Sequence, residues 1–152
     1  MKEILTYASG SSRTDHILLR CKVIELLAAI NETIDRQAPS ESSPPIENEL
    51  ILEILQYLNT HYREEISLSD VAASVYHSKY HVCHLFKEYI GISMHDYITL
   101  RRIHLVNDRI RRGHAIADAC YSAGFHNYSN FFRLYKKHMG MTPHQFKASL
   151  EK

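Results

Sequence analysis

One helical segment occurs twice in this chain, and the two copies limit what it can fold into. Residues Leu85–Tyr97 reappear 49 residues later as Leu134–Phe146, and Leu68–Ala72 matches Ile116–Cys120 at an offset of 48. The offset changes by one residue near Tyr76, so we expect an insertion in a turn there. A repeated helix-turn-helix unit with a helix between its copies would place two similar helices on one long, periodic partner. DNA is the obvious candidate.

Composition favours a domain with a hydrophobic core that is not embedded in a membrane. The chain has 152 residues, of which 45% are hydrophobic, enough for about one domain with a core. No apolar run reaches the roughly 18 residues of a membrane span, and the N-terminus lacks a signal-peptide stretch. The three cysteines include no Cys-x-x-Cys pair, which favours reduced thiols over disulfides. We therefore expect a cytoplasmic protein.

Charge is unevenly distributed along the chain. The formal net charge is only +1, yet between Lys79 and Lys147 there are 11 Lys or Arg residues against 4 Asp or Glu. Ten of the 11 histidines follow residue 60 and would add positive charge below about pH 6.5. A basic half beside an acidic half is compatible with phosphate binding on one side.

A Pro/Ser-rich linker at residues 37–45 divides the chain into residues 1–45 and 46–152. The first part carries one expected helix, residues 14–36, with a broad apolar stripe. One helix cannot bury such a stripe alone. It must pack on the rest of the chain, on a second copy of itself, or on a domain outside this sequence. The second alternative predicts a homodimer formed through residues 13–36.

The second part is expected to be all-α. Ser67 with Asp70 resembles a capping box, Thr142-Pro143 is a strong helix start, and Gly91 and Gly140 suit helix ends. No segment shows convincing strand alternation. We predict seven helices, at residues 46–61, 67–76, 78–91, 93–112, 115–123, 127–139 and 143–150.

Each predicted helix-turn-helix unit has its own small core. Ala72 and Cys120 occupy equivalent positions where two helices cross closely and small residues are needed. Gly124 suits the second turn, whereas Tyr76 is a poorer turn former at the matching place. The expected core residues are Val71, Val75, Val82 and Leu85 in the first unit, Ala119, Ala123, Phe131 and Leu134 in the second, and Ile103, Val106 and Ile110 on the intervening helix.

Several segments between residues 46 and 150 resemble a known family. They are Ser78–Lys87, Gly91–Ser93 with Tyr97, Gly124–Phe125, Phe131–Lys137 and Gly140–Pro143. These segments resemble the C-terminal DNA-binding domain of AraC/XylS-type transcriptional regulators. The resemblance implies seven helices, with two helix-turn-helix units joined by a long helix. In this chain, an extra N-terminal helix and linker would precede them. Residues 1–45 would be a remnant of, or stand in for, an effector or dimerisation domain.

The function implied is that of a sequence-specific regulator of transcription, with activation as the expected sign. Its partners would be double-stranded DNA and RNA polymerase, and no cofactor is implied. The joining helix of about 19 residues would span roughly 28 Å. Successive major-groove faces lie ~34 Å apart, so the two recognition helices could enter adjacent groove segments.

The resemblance also points to individual DNA-contacting residues. Arg133 is the strongest candidate, because a bidentate guanidinium–guanine contact supplies about 1–3 kcal/mol of discrimination. His84 stands where many relatives have arginine, so weaker or pH-sensitive recognition is expected there. The implied base contacts are Tyr80, Cys83, His84, Tyr128, Ser129 and Arg133, and the implied phosphate contacts are Lys79, Lys87, Asn127, Lys136 and His144.

Neither a metal site nor an enzyme is expected from the residues. His77, His81 and His84 share one helical face with zinc-like spacing, yet that face is the one assigned to DNA, so no metal site is expected. The chain has no phosphate-binding glycine loop and no hydrolase or zinc-protease motif, so no enzyme is expected.

Three questions stay open on the sequence alone. Cys83 and Cys120 are most simply small apolar residues, and the alternative is a redox-sensor role. The arginines of the joining helix form either a solvated face or a phosphate clamp: Arg101, Arg102, Arg109, Arg111 and Arg112. The main rival function, favoured by the near-neutral charge and by His84, is a helical protein–protein interaction module that has lost DNA affinity.

Overall fold

The computed structural model of the chain describes residues 46–151, which form seven helices and no strand. In chain order the helices are α1 (Ile46–His61), α2 (Leu68–Ser74), α3 (Lys79–Ile90), α4 (Met94–Arg111), α5 (Ile116–Ser122), α6 (Tyr128–Met139) and α7 (Pro143–Leu150). These bounds confirm the seven predicted helices of this region to within about two residues. The helix predicted at residues 14–36, the linker at 37–45 and the dimer surface at 13–36 lie outside the described residues.

Local sequence signals set where most of these helices begin. Ser67 and Asp70 form a complete capping box at the start of α2, and Thr142 and Gln145 form one at α7. In each box, two backbone N–H groups that lack helical partners receive side-chain acceptors. The start of α5 is different, because Ala115 at its N-cap supplies no side-chain hydrogen bond.

The described chain divides into two compact units. Within the described residues, the first contains those up to Leu58 and Ser67–Met94. There α2 packs on α3, and the predicted core residues Val71, Val75, Val82 and Leu85 are buried. The inward face of α1 contributes Leu50, Ile51, Ile54, Leu55 and Leu58, each at most 5% exposed.

The second unit contains Asn59–Ile66 and the chain from His95 onwards. Its core joins the inner face of α4 to α5, α6 and α7, which confirms the predicted positions of Ile103, Val106 and Ile110. Ala119, Ala123 and Phe131 are fully buried as predicted, whereas Leu134 is only partly buried. The fully buried neighbour of Leu134 is Tyr135. The core of this unit is therefore built around aromatic rings, from Phe125 through Phe131 and Tyr135 to Phe146.

The turn of the first unit ends α2 earlier than predicted. Tyr76 has φ 57°, the only positive φ among the described non-glycine residues, so the helix stops at Ser74. Gly124 occupies the matching turn of the second unit with φ 90°. Both turns thus contain a residue in the left-handed backbone conformation. Glycine adopts this conformation freely, whereas tyrosine adopts it only at an energetic cost.

Candidate nucleic-acid interface

The predicted first recognition helix, α3, has one buried and one exposed face. Ser78 caps it by accepting a hydrogen bond from the His81 backbone N–H at 3.2 Å, and Gly91 ends it in the left-handed conformation. Val82, Leu85, Phe86 and Ile90 are buried. The opposite face exposes all of the residues predicted there as DNA contacts: Lys79, Tyr80, Cys83, His84 and Lys87.

Side chains on the exposed face of α3 contact one another. The rings of Tyr80 and His84 stack with centroids 6.2 Å apart, and His84 Nδ1 lies 3.6 Å from a carboxylate oxygen of Glu88. Tyr80 is nonetheless 82% exposed, so its phenol remains accessible to a partner. Of the two cysteines in the described residues, Cys83 is exposed on this face and Cys120 is buried.

The histidines of this face do not converge on a shared ligand. His77 and His81 lie with ring centroids 5.2 Å apart. Within residues 46–151 no group of three or more His, Cys, Asp or Glu side chains could hold a metal ion.

The predicted second recognition helix, α6, repeats the plan of α3. Asn127 caps it by accepting a hydrogen bond from the Asn130 backbone N–H at 2.8 Å, and Gly140 ends it at φ 71°. Phe131 and Tyr135 are buried, whereas Ser129, Arg133 and Lys136 are exposed. The helix carries one arginine, two lysines and no acidic residue, which makes it more basic than α3.

Two predicted base contacts on α6 differ in how much of their side chain is exposed to solvent. The Arg133 guanidinium donates a 3.0 Å hydrogen bond to the side-chain oxygen of Asn130 on the solvent side of the helix. Tyr128 is half-buried, with its ring centroid 5.6 Å from that of Phe131, and desolvation raises the pKa of its phenol. Arg133 is therefore presented to solvent, whereas Tyr128 presents only part of its side chain.

The repeat places equivalent residues on equivalent faces. With an offset of 49, Val82 matches Phe131 and Phe86 matches Tyr135, and all four are fully buried. His84 matches Arg133 and Lys87 matches Lys136, and all four are exposed. The two units thus conserve a pattern of inward and outward side chains, not only a sequence of helices.

The remaining predicted phosphate contact, His144, lies in the first turn of α7. It is exposed, next to the buried Pro143 and two residues after the cap Thr142. The first turn of a helix presents unpaired backbone N–H groups and favours anions. Its position therefore suits an anionic partner.

Arg102 belongs to neither alternative considered for the arginines of α4. Its Nε donates to the Tyr62 carbonyl oxygen at 2.6 Å, and one terminal nitrogen donates to the Glu64 carbonyl oxygen at 2.7 Å. Burial lowers the pKa of this guanidinium, against an opposing effect of Glu65. The spacing of three residues from the buried Thr99 and four from Val106 could have revealed this inward position. By contrast, Arg111 and Arg112 lie 3.6 Å from Asp108 on the exposed side.

Asn107 is a second inward polar residue that sequence reasoning missed. It is 5% exposed on the buried side of α4 and accepts a hydrogen bond from the Tyr135 hydroxyl. Its position, four residues after Ile103 and three before Ile110, is the available sequence signal. This contact attaches α6 to α4 within the second unit.

Among residues 46–151, no helix combines the length and apolar character needed to cross a membrane.

Comparison with known proteins agrees with this geometry. The helix-turn-helix domain family matches residues 71–149. The bifunctional transcriptional activator/DNA repair enzyme AdaA of Bacillus subtilis is 30% identical over 113 residues, covering 74% of this chain and 53% of that protein. An uncharacterized HTH-type transcriptional regulator of Staphylococcus aureus is 27% identical over 127 residues, covering 83% of this chain. This chain spans only 17% of that protein.

A solved structure shows the same fold. An AraC-type transcriptional regulator from Chromobacterium violaceum superimposes with a TM-score of 0.62 at 22% identity, covering 68% of this chain and 94% of that one. The seven helices, the repeated pattern of faces and the family match over residues 71–149 lead to one assignment. This chain belongs to the AraC-type helix-turn-helix family.

Proposed function

We propose that this chain is a sequence-specific DNA-binding regulator of transcription whose helices α3 and α6 enter adjacent major-groove segments of double-stranded DNA. The observation that carries the proposal is the matched exposure of His84 with Arg133 and of Lys87 with Lys136. Buried partners at the equivalent inward positions hold both helices in place. A partner that repeats along its axis can engage both faces in the same way.

The chemistry of α6 suits a base-reading helix. Arg133 can donate two parallel hydrogen bonds to guanine O6 and N7, the commonest specific contact in the major groove. Lys136 lies one turn further along the same exposed side and suits a backbone phosphate. Ser129 and the accessible part of Tyr128 complete the proposed base contacts of this helix.

The chemistry of α3 is less cationic. Tyr80, Cys83 and His84 are the proposed base contacts, with Lys79 and Lys87 on phosphates. The His84 ring can donate one hydrogen bond to a base, whereas a guanidinium donates two. We therefore propose that α3 contributes less sequence discrimination than α6.

Phosphate contacts at helix starts would position both helices. The side-chain oxygen of Asn127 is engaged in capping α6, so its amide nitrogen is the group that would donate to a phosphate. His144, in the first turn of α7, would also donate a hydrogen bond to a phosphate of the DNA backbone. Such contacts fix orientation but carry no sequence information.

The wider role is part of the same proposal. We propose an activator that contacts RNA polymerase in the cytoplasm and acts by binding, without catalysis. The word activator in the name of the AdaA relative supports activation over repression.

We further propose the division into residues 1–45 and 46–152, with residues 13–36 forming a homodimer. Sedimentation should then show a dimer for the full chain and a monomer after deletion of residues 1–45, and an unchanged dimer would refute the interface.

The experiment that tests DNA binding is selection of bound sequences from a randomised duplex library, followed by affinity measured against salt. We expect a motif with two blocks about one helical turn apart and a steep salt dependence. A duplex with both blocks scrambled is the control. Weak binding without a motif and without salt dependence would contradict the proposal and favour the protein–protein interaction module.

A further inference from the structure

We propose that Arg102 is a positioning residue for the second recognition helix, and that it acts through the segment Tyr62–Glu64 and the turn at Gly124. This inference rests on the proposed function, because it concerns how one block of the DNA site is recognised. Arg102 itself would touch no DNA.

The first step is the attachment of the segment to α4. Arg102 donates to the Tyr62 and Glu64 carbonyl oxygens at 2.6 Å and 2.7 Å, so it bridges two carbonyls that are two residues apart. Both distances are short, as expected for hydrogen bonds from a charged donor. Only a rigid, forked donor satisfies both oxygens from one position.

The second step is the contact of the segment with the turn. A Cβ atom built on Gly124 would lie 2.2 Å from the Arg63 carbonyl oxygen and 2.8 Å from its Cα. The backbone of Arg63, between the two residues that Arg102 holds, therefore lies directly against Gly124. No side chain fits between them, and φ of +90° at Gly124 adds a second reason for glycine.

The third step leads from the turn to α6. The Arg102 guanidinium lies over the Phe125 ring, 5.7 Å from its centroid. Phe125 is buried and packs on Phe131 of α6, with ring centroids 5.0 Å apart. Arg102 thus contacts Phe125 directly and reaches Gly124 through the segment Tyr62–Glu64. Gly124 and Phe125 lead the chain into α6, whose exposed face carries Arg133.

The first unit offers an internal comparison. Its turn residue, Tyr76, matches Gly124 but is 96% exposed, so no backbone covers it. The clamp made by Arg102, Arg63 and Gly124 is therefore specific to the second unit. Its loss should affect recognition by α6 and leave recognition by α3 unchanged.

The clamp can be tested without DNA by amide hydrogen exchange on the full chain. Arg102→Lys keeps the charge but cannot make two diverging hydrogen bonds from a planar group. We expect faster exchange at residues 62–66 and 124–127 in this variant, with unchanged exchange in α3. Equal protection in the variant and the wild type would overturn the clamp.

The positioning role is tested on the selected duplex, with each block mutated in turn. We expect Arg102→Lys and Arg102→Gln to lose at least about fivefold of discrimination at the α6 block, the lower limit of one bidentate base contact. Discrimination at the α3 block and the salt slope should not change. The control is Arg112→Gln, which removes an exposed charge directly after the end of α4. This variant should keep wild-type discrimination at both blocks.

A phosphate-contacting Arg102 predicts a different result. In that case Arg102→Lys would bind like wild type, and Arg102→Gln would reduce the salt slope by about 0.9. Equal loss of discrimination at both blocks would also overturn the inference. Should Arg102→Gln fail to fold, Arg102→Lys decides alone. Failure of the proposed function is distinct, since wild type itself would then show no motif.

Glycine substitutions test the clamp from its other side. Gly124→Ala meets the Arg63 backbone, whereas Gly113→Ala has the same kind of positive φ, +87°, with no atom within 4 Å. We expect Gly124→Ala to reproduce the Arg102→Lys loss at the α6 block and Gly113→Ala to retain wild-type discrimination. Equal effects of the two glycine variants would show that backbone strain alone matters and would contradict the clamp.

Discussion

The hydroxyl of Tyr135 donates a hydrogen bond of 2.5 Å to the side-chain oxygen of Asn107 in the interior of the second unit. Burial raises the pKa of the Tyr135 phenol far above its usual range, so the donor keeps its proton. The equivalent residue in the first unit is Phe86, a buried side chain that carries no hydroxyl. At this position the second copy of the repeat carries a buried polar pair, and the first copy carries an apolar ring.

Tyr135→Phe should destabilise the chain by about 1–3 kcal/mol, because Asn107 would keep a buried oxygen without its donor. Urea unfolding measures this change. Combining it with Asn107→Leu should restore part of the loss, since both polar groups are then removed. Additive losses in the double variant would show that the two residues do not act as a pair.

Tyr76→Gly should stabilise the first unit by up to about 1 kcal/mol. Tyrosine in the left-handed region is strained, and a side chain that is 96% exposed has little packing to lose. The greater freedom of glycine in the unfolded chain offsets part of the gain. Thermal unfolding of the wild type and of Tyr76→Gly measures the difference in stability. A clear loss of stability in the variant would mean that the Tyr76 side chain makes a stabilising contact.

Arg133→Ala should relax specificity at one base pair of the α6 block by about 1–3 kcal/mol. The affinities of the selected duplex and its single-base variants measure this directly. Arg112→Ala, with an arginine side chain that is 74% exposed, is the matched control and should leave the preference intact. A loss of affinity that is equal for all sequences would assign Arg133 to the phosphate backbone instead.

Lys136→Ala should weaken binding to all sequences alike and reduce the salt slope by about 0.9. Its neighbour Lys137 is paired with Asp96 at 4.0 Å, so Lys137→Ala is expected to change the slope less. Titrations at several salt concentrations distinguish the two. Identical slopes for wild type and Lys136→Ala would exclude the phosphate contact.

The second unit should lose stability as the pH falls below about 6.5, because of His138. Desolvation lowers the pKa of this histidine, Lys137 and His95 lower it further, and Asp96 at 3.8 Å opposes them. The unfolded state therefore binds a proton at higher pH than the folded state does. The stability is fully present above the unfolded pKa and is lost as the pH approaches the lower folded value.

Denaturation of His138→Gln at about pH 7.5 and about pH 5.5 tests this prediction. The loss of stability between the two values should be smaller in the variant than in wild type. His114→Gln, at an exposed site, should behave like wild type. An equal acid loss in wild type and in His138→Gln would place the titrating group elsewhere.

The sequence alone determined the helical plan of the described residues. Capping residues, helix-ending glycines and apolar spacing are local signals, so Ser67, Gly91, Thr142 and the faces of α3 and α6 followed from short-range chemistry. The repeat strengthened this plan, because each copy predicted the inward and outward residues of the other. The family resemblance added candidate DNA contacts, and the structure places most of them on exposed faces.

Only the tertiary structure decided which partners the inward polar side chains meet. Arg102 and Asn107 have partners 40 and 28 residues away along the chain, and no local pattern encodes such distances. The same reason explains Gly124, whose neighbour Arg63 is brought against it by folding. Hydrogen bonds between distant segments depend on where the backbone passes, and this is settled only when the core has packed.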